Sequence, residues 1–115
     1  MTEKRASPRH RAEVVVDFTA AESKITGMTW DVSRGGMFVR TTRMPEEGQK
    51  LFVTLRFSDG RQLLLQGLVV RTFHAPPLVR HLFPTGFGMA IRNSESYTRF
   101  VSSLAGEEEQ AAAEN

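Results

Sequence analysis

The sequence predicts a mainly β fold: a six-stranded antiparallel barrel with one C-terminal α-helix. Three observations carry this. Runs of six to twelve residues alternate apolar with polar side chains, and short links rich in Gly, Pro and Asp separate them. The period changes from two to that of a helix only after Ile91. Strands do not alternate with helices, as a parallel sheet would require. With 115 residues the chain forms one domain, and with no cysteine it has neither a disulfide framework nor a thiolate metal site.

Taken in order, residues 1–12 hold Lys4, Arg5, Arg9, His10 and Arg11 around Ser7-Pro8. Low hydrophobicity and a proline make this a flexible basic arm that can order around an anion. The folded unit is expected over 13–105, beginning with a β-rich strand at 13–18. A polar loop at 19–23 precedes a second strand over 24–32, in which Ile25, Gly27, Thr29 and Asp31 share one parity. A third strand covers 36–41, with Gly35 and Gly36 free to take positive φ in the connection before it. Met44 to Gly48 forms a turn, and a fourth strand at 50–57 puts Leu51, Val53, Leu55 and Phe57 on one face.

Asp59-Gly60 marks a hairpin into a long fifth strand at 62–73, where Gly67 suggests a bulge or barrel corner. The Pro-rich segment from His74 to Pro84 is not a regular strand. Its Leu78, Val79, Leu82 and Phe83 either fold over a barrel end or form a partner patch. A sixth strand follows at 87–92. After it Asn93 or Ser94 can cap a helix whose Tyr97, Phe100, Val101 and Leu104 share one face. Gly106 is placed to end that helix, leaving 106–115 as an acidic, disordered tail, although Ala111 to Ala113 can sustain a further turn.

The net charge of +2 conceals an asymmetry. Glu107, Glu108, Glu109 and Glu114 sit in the tail, so the rest of the chain, with fifteen basic and nine acidic residues, stands at +6. Twelve of the fifteen are Arg, the side chain whose planar fork suits phosphate and the guanine O6/N7 edge. An anionic partner is therefore expected. There is no apolar leader and no run as long as a membrane span, so a cytoplasmic location without membrane insertion is expected.

The chemistry concentrates at Asp31-Val32-Ser33-Arg34-Gly35-Gly36, between two strands. A carboxylate, a hydroxyl and backbone N–H groups at a sheet edge can meet the adjacent N–H donors of a guanine. The same residues can instead close a plain hairpin in which Asp31 and Ser33 bond their own backbone. The arginine arm shifts the balance toward a ligand. Arg5 and Arg9 are spaced R-x-x-x-R, and beyond twenty-one intervening residues Asp31, Ser33 and Gly36 form D-x-S-x-x-G.

These two motifs, in this order and ahead of this strand pattern, resemble the PilZ domain over roughly residues 4–104. PilZ domains are bacterial receptors for cyclic di-GMP. The resemblance implies that Arg5 and Arg9 grip phosphate and guanine Hoogsteen edges, that Asp31 and Ser33 read the guanine, and that Gly35 and Gly36 give the ligand room. Two positions depart from the family pattern. Lys4 stands where many members carry a further arginine, keeping the charge but losing the fork and stacking plane. Arg71 follows Val69-Val70 where many members carry an aromatic; its guanidinium can stack on a base or simply face solvent. Trp30, the only tryptophan, has the opposite parity to Asp31 and is expected to pack.

An enzyme is not expected. His10, His74 and His81 are scattered, Ser33 has no evident base, and no P-loop is present. The leading reading is a single-domain cyclic di-GMP receptor, with no other cofactor. Ordering of its arm would relay the signal to an unidentified effector protein governing motility, pili, exopolysaccharide or virulence. The alternative is a degenerate PilZ adaptor that binds protein and not nucleotide. DNA or RNA binding is not expected, since the Phe residues fall at core parities rather than beside a basic groove. The oligomeric state is expected to be monomer or weak dimer.

Overall fold

A computed structural model describes residues 8–114, with side chains over 8–106. Among the described residues seven strands precede the helix: β1 (His10–Arg11), β2 (Val15–Ala20), β3 (Ser23–Ser33), β4 (Gly36–Arg40), β5 (Lys50–Arg56), β6 (Gln62–Phe73) and β7 (Gly86–Ile91). All pairings are antiparallel, in the order β3-β2-β5-β6-β7-β4, and a β3–β4 pairing closes this six-stranded barrel. The expected fold class holds. The inward faces meet in one core built on side chains such as Val16, Phe18, Val39, Leu55, Val69 and Phe87. Phe18 and Phe87 pack edge to face there, their ring centroids 5.2 Å apart.

Strand β1 lies outside the sixfold ring and was not expected. Residues 1–7 of the presumed flexible arm, Lys4 and Arg5 among them, lie outside the described residues. The arm's end is instead a strand: His10 pairs with Val32 and Arg11 with Asp31. This is possible because β3 is eleven residues long and β2 uses only Ser23 to Met28 of that edge. The remaining backbone N–H and C=O groups of that edge need a partner, and β1 supplies it.

The expected loop at 19–23 is a two-residue hairpin. Ala20 pairs with Ser23, and Ala21 and Glu22 both have positive φ, at 51° and 65°. Those are the values of the hairpin turn that matches strand twist, here made without the Gly or Asn that signals it. Gly60, with φ of 93°, closes the expected Asp59-Gly60 hairpin, whose Asp59 carboxylate accepts from the Arg61 N–H at 3.0 Å. That bond, together with the Arg61 guanidinium, holds the Asp59 carboxyl below its ordinary range.

The helix α1 spans Glu95–Glu114. Ser94 caps it, its hydroxyl accepting from the Tyr97 N–H at 3.2 Å. Tyr97 and Val101 are buried against the barrel end, with Phe100 edge-on to Phe57 at 5.1 Å. The helix continues past the expected stop at Gly106 and takes in the described residues 106–114 of the segment expected as a tail. One Gly costs about 1 kcal/mol, while the Glu, Gln and Ala that follow are strong helix formers. No helix among the described residues is long and apolar enough to cross a membrane.

Candidate functional site

The site grows from the free half of the β3 edge. Thr29, fully buried, stitches the chain between β1 and β2 to that edge: its hydroxyl accepts from the Val14 N–H at 2.9 Å and donates to the Ala12 carbonyl. Arg11 then lies with its guanidinium 3.8 Å from the centre of the Trp30 ring, and Arg40 approaches the same ring at 5.7 Å. A cation over an aromatic face is attractive by about 0.5–1 kcal/mol at a partly exposed site. The stack holds β1 in place, so Arg9 enters the site from a fixed point. Its Nη2 donates to Oδ1 of Asp31 at 2.7 Å.

Two β-bulges decide which side chains face outward. The register of β3 against β4 shifts between Thr29 and Asp31, leaving Trp30 as the extra residue. Thr29 and Val32 are therefore both buried although they differ in parity. Asp31, which shares the parity of Ile25 and Thr29, is turned to the outer surface. In β6 the shift falls between Val69 and Arg71, with Val70 extra. Arg71 shares the parity of the buried Leu65 and Val69, yet it too faces outward.

The two bulges bring their residues into one row. Asp31 pairs with Phe38, Phe38 with Gly88, and Gly88 with Arg71. At a strand spacing of about 4.8 Å, three steps separate Asp31 from Arg71 by roughly 14 Å of sheet. Gly88 leaves the row open, and Arg71 leans across it: a Cβ at Gly88 would stand 3.1 Å from Arg71 Nε. The Arg71 guanidinium lies 5.9 Å from the centre of the Phe38 ring, within cation–π range. The outer face thus carries Arg9 and Asp31 at one end of the row, a covered aromatic in the middle and Arg71 at the other.

The turn beside the row is set from behind. Ser33 pairs with Gly36 across Arg34-Gly35. Neither glycine takes the expected positive φ, which among the described glycines belongs to Gly48 and Gly60. Gly36 is required for a different reason. A Cβ there would stand 2.1 Å from the Met89 carbonyl oxygen, whereas a Cβ at Gly35 would meet nothing within 4 Å. Ser33 is buried, and its hydroxyl donates to the Gly36 carbonyl at 3.4 Å. The Tyr97 hydroxyl is shared between the Ser33 and Gly36 carbonyls, 2.8 Å from each. Burial pushes the Tyr97 hydroxyl's pKa well above that of an ordinary tyrosine.

Of the residues the sequence singled out, the structure brings together Arg9, Asp31, Ser33, Gly35 and Gly36, and sets Arg71 across the row from them. Four further residues shape this region and were not read as part of the site: Arg11, Phe38, Gly88 and Tyr97. The aromatic and glycine positions differ from ordinary core or turn residues only once register is known. Trp30 is a packing residue, as expected, but what it packs against is arginine. A cleft of 610 Å³ lies away from this row, between the β5–β6 hairpin and α1.

The family model described as PilZ domain matches residues 3–94. Among solved structures, the chain is similar to the Bacillus subtilis inhibitor of motility MotI/DgrA, with TM-score 0.74, 16% identity, and 96% of this chain and 53% of that one covered. It is similar to Escherichia coli YcgR in complex with c-di-GMP, with TM-score 0.74, 15% identity, and coverage of 98% and 49%. The PilZ domain of YcgR with c-di-GMP matches with TM-score 0.71, 16% identity, and coverage of 98% and 100%. The chain thus spans about half the length of the first two. Among curated proteins none matches it in sequence.

Proposed function

We propose that this chain, which belongs to the PilZ domain family, is a receptor for cyclic di-GMP that signals through a partner protein. The observation that carries the reading is the row: an Asp31 carboxylate held by Arg9 at one end and Arg71 at the other, on an open outer face. A cyclic dinucleotide offers guanine edges and phosphates together. Asp31 accepts from the adjacent N–H donors of a guanine, while an arginine fork reads its O6 and N7 or grips a phosphate. Arg71 supplies a cationic plane on which a base stacks.

The ion pair between Arg9 and Asp31 is half exposed on the Arg side, at 47%, and such a pair contributes only about 0–1 kcal/mol. Guanine can therefore replace Arg9 at the carboxylate at little cost and release the guanidinium to the ligand. Lys4 and Arg5 close the arm over the ligand. Ser33 supports the turn, and Gly35 leaves room above it. Ordering the arm changes the surface offered to an effector, and a receptor for an intracellular messenger works in the cytoplasm.

Isothermal titration of the folded protein with cyclic di-GMP, against GTP as control, tests the reading. Specific heat with cyclic di-GMP alone is expected, and the ligand-to-protein ratio then tells whether Lys4 permits one ligand or a stacked pair. Absence of heat from folded protein would leave an adaptor that binds protein without nucleotide.

A further inference from the structure

Between Gly60 and Ser94 the chain contains no Asp or Glu, yet it carries Arg61, Arg71, Arg80 and Arg92 with His74 and His81. Of the eight large apolar side chains exposed among the described residues, seven fall in this same stretch. Exposed apolar groups that coincide with an acid-free, cationic segment mark a contact surface rather than scattered surface hydrophobes.

Three of the seven lie in the loop between β6 and β7. Its neck is pinned: Ala75 is buried, and its N–H donates to the Thr85 hydroxyl at 2.9 Å. Pro76 and Pro77 lead into a short 3₁₀ turn at Pro77–Val79, and the N–H groups of Leu82 and Phe83 both donate to the Val79 carbonyl at 2.9 Å. The loop is thus a compact turn, yet it does not fold over the barrel end. Leu78 is 88% exposed, Leu82 57% and Phe83 53%. Arg80 lies among them and makes no ion pair among the described residues. Glu47, in the segment ahead of β5, is engaged at the Thr72 N–H at 3.0 Å.

We propose that this loop docks the protein on an anionic lipid bilayer. Leu78, Leu82 and Phe83 enter the headgroup region, and Arg80 stays at the level of the lipid phosphates. Charge complementarity selects an anionic surface. Three exposed apolar side chains beside one arginine suit a surface with an apolar layer beneath its charge, which a bilayer offers. Such contact is interfacial and does not span the membrane. The inference is independent of the nucleotide reading.

The test is co-sedimentation of the full chain, without nucleotide, with phosphatidylcholine vesicles that either contain or lack phosphatidylglycerol. Salt-sensitive pelleting is expected with the anionic vesicles alone. Leu78→Asp combined with Leu82→Asp is expected to lower partitioning at least about tenfold, and Arg80→Ala about fivefold. Both sites are solvent-exposed, and an unchanged circular dichroism melt confirms folding. The proposal is overturned if the protein does not pellet, if neutral vesicles serve equally well, or if the double variant pellets like wild type, in which case another basic surface holds the vesicles. Salt-sensitive binding to soluble polyglutamate in place of vesicles would give the loop to an acidic protein and likewise overturn it.

Discussion

The hydroxyl of Tyr97 lies 2.8 Å from the carbonyl oxygen of Ser33, so the C-terminal helix, packed on the barrel end, holds the Asp31–Gly36 turn through a buried side chain. One O–H group serves two buried carbonyls, since Gly36 is equally close. Tyr97→Phe removes it, taking that donor from the Ser33 carbonyl and leaving the Gly36 carbonyl to the long 3.4 Å bond from the Ser33 hydroxyl. A loss of about 1–3 kcal/mol in urea unfolding is expected, with the secondary structure intact.

The same hydroxyl makes stability pH-dependent in alkali. Burial raises its pKa in the folded state above the ordinary value of 10.0, so its stabilising share is complete below pH 10.0. Above that the unfolded chain ionises first, and stability falls by up to about 1.4 kcal/mol per pH unit as the folded value is approached. Tyr97 is the only tyrosine, so tyrosinate absorbance reports this titration directly. A titration midpoint near pH 10.0 in folded protein would contradict the burial argument.

Arg9→Ala and Asp31→Asn separate binding from folding. The pair they break is partly exposed, and either change is expected to cost about 1 kcal/mol or less in stability. Cyclic di-GMP affinity is expected to fall at least about tenfold in each, as for loss of a charged hydrogen bond. Retained affinity in both, measured calorimetrically, would remove the proposed reading of guanine at Asp31.

The two glycines of the turn give opposite expectations. Gly36→Ala drives a methyl into the Met89 carbonyl and is expected to destabilise by about 1–3 kcal/mol or more. Gly35→Ala meets nothing in the protein and is expected to leave the melting temperature unchanged. Loss of cyclic di-GMP affinity in that variant would show that the ligand passes over position 35.

Trp30→Ala tests the anchor of β1. Without the ring, Arg11 loses its stacking face 3.8 Å away, and the two-residue strand frays more often. Amide hydrogen exchange at His10 and Arg11 is expected to quicken about twofold to fivefold, the equivalent of a cation–π contact of 0.5–1 kcal/mol.

Most of the barrel was legible because alternation and turn residues are local signals. The strands over Lys50–Arg56 and Gln62–Phe73 lie where the pattern puts them. What escaped was set by tertiary pairing. Nothing in the composition of His10-Arg11 announces a strand, because its reason is the unpaired edge of β3 beyond Met28. The Ala21-Glu22 turn lacks any residue that favours positive φ. The helix runs through Gly106 because the residues beyond it outweigh one weak position. At the site, Arg9, Asp31 and Gly36 were visible as motif residues, but the role of Gly36 was not. Its constraint is the backbone of β7, which lies more than fifty residues away in sequence.

The bulges at Trp30 and Val70 give the site a further kind of specification. Strict alternation would point both Asp31 and Arg71 into the core, where neither charge can be accommodated. One additional residue ahead of each supplies the half-turn that places it outside. The site is thus encoded by a count as well as by residue identity. A homologue that keeps every motif residue but is one residue shorter between Thr29 and Asp31 would spell the same signature with its carboxylate pointing the wrong way.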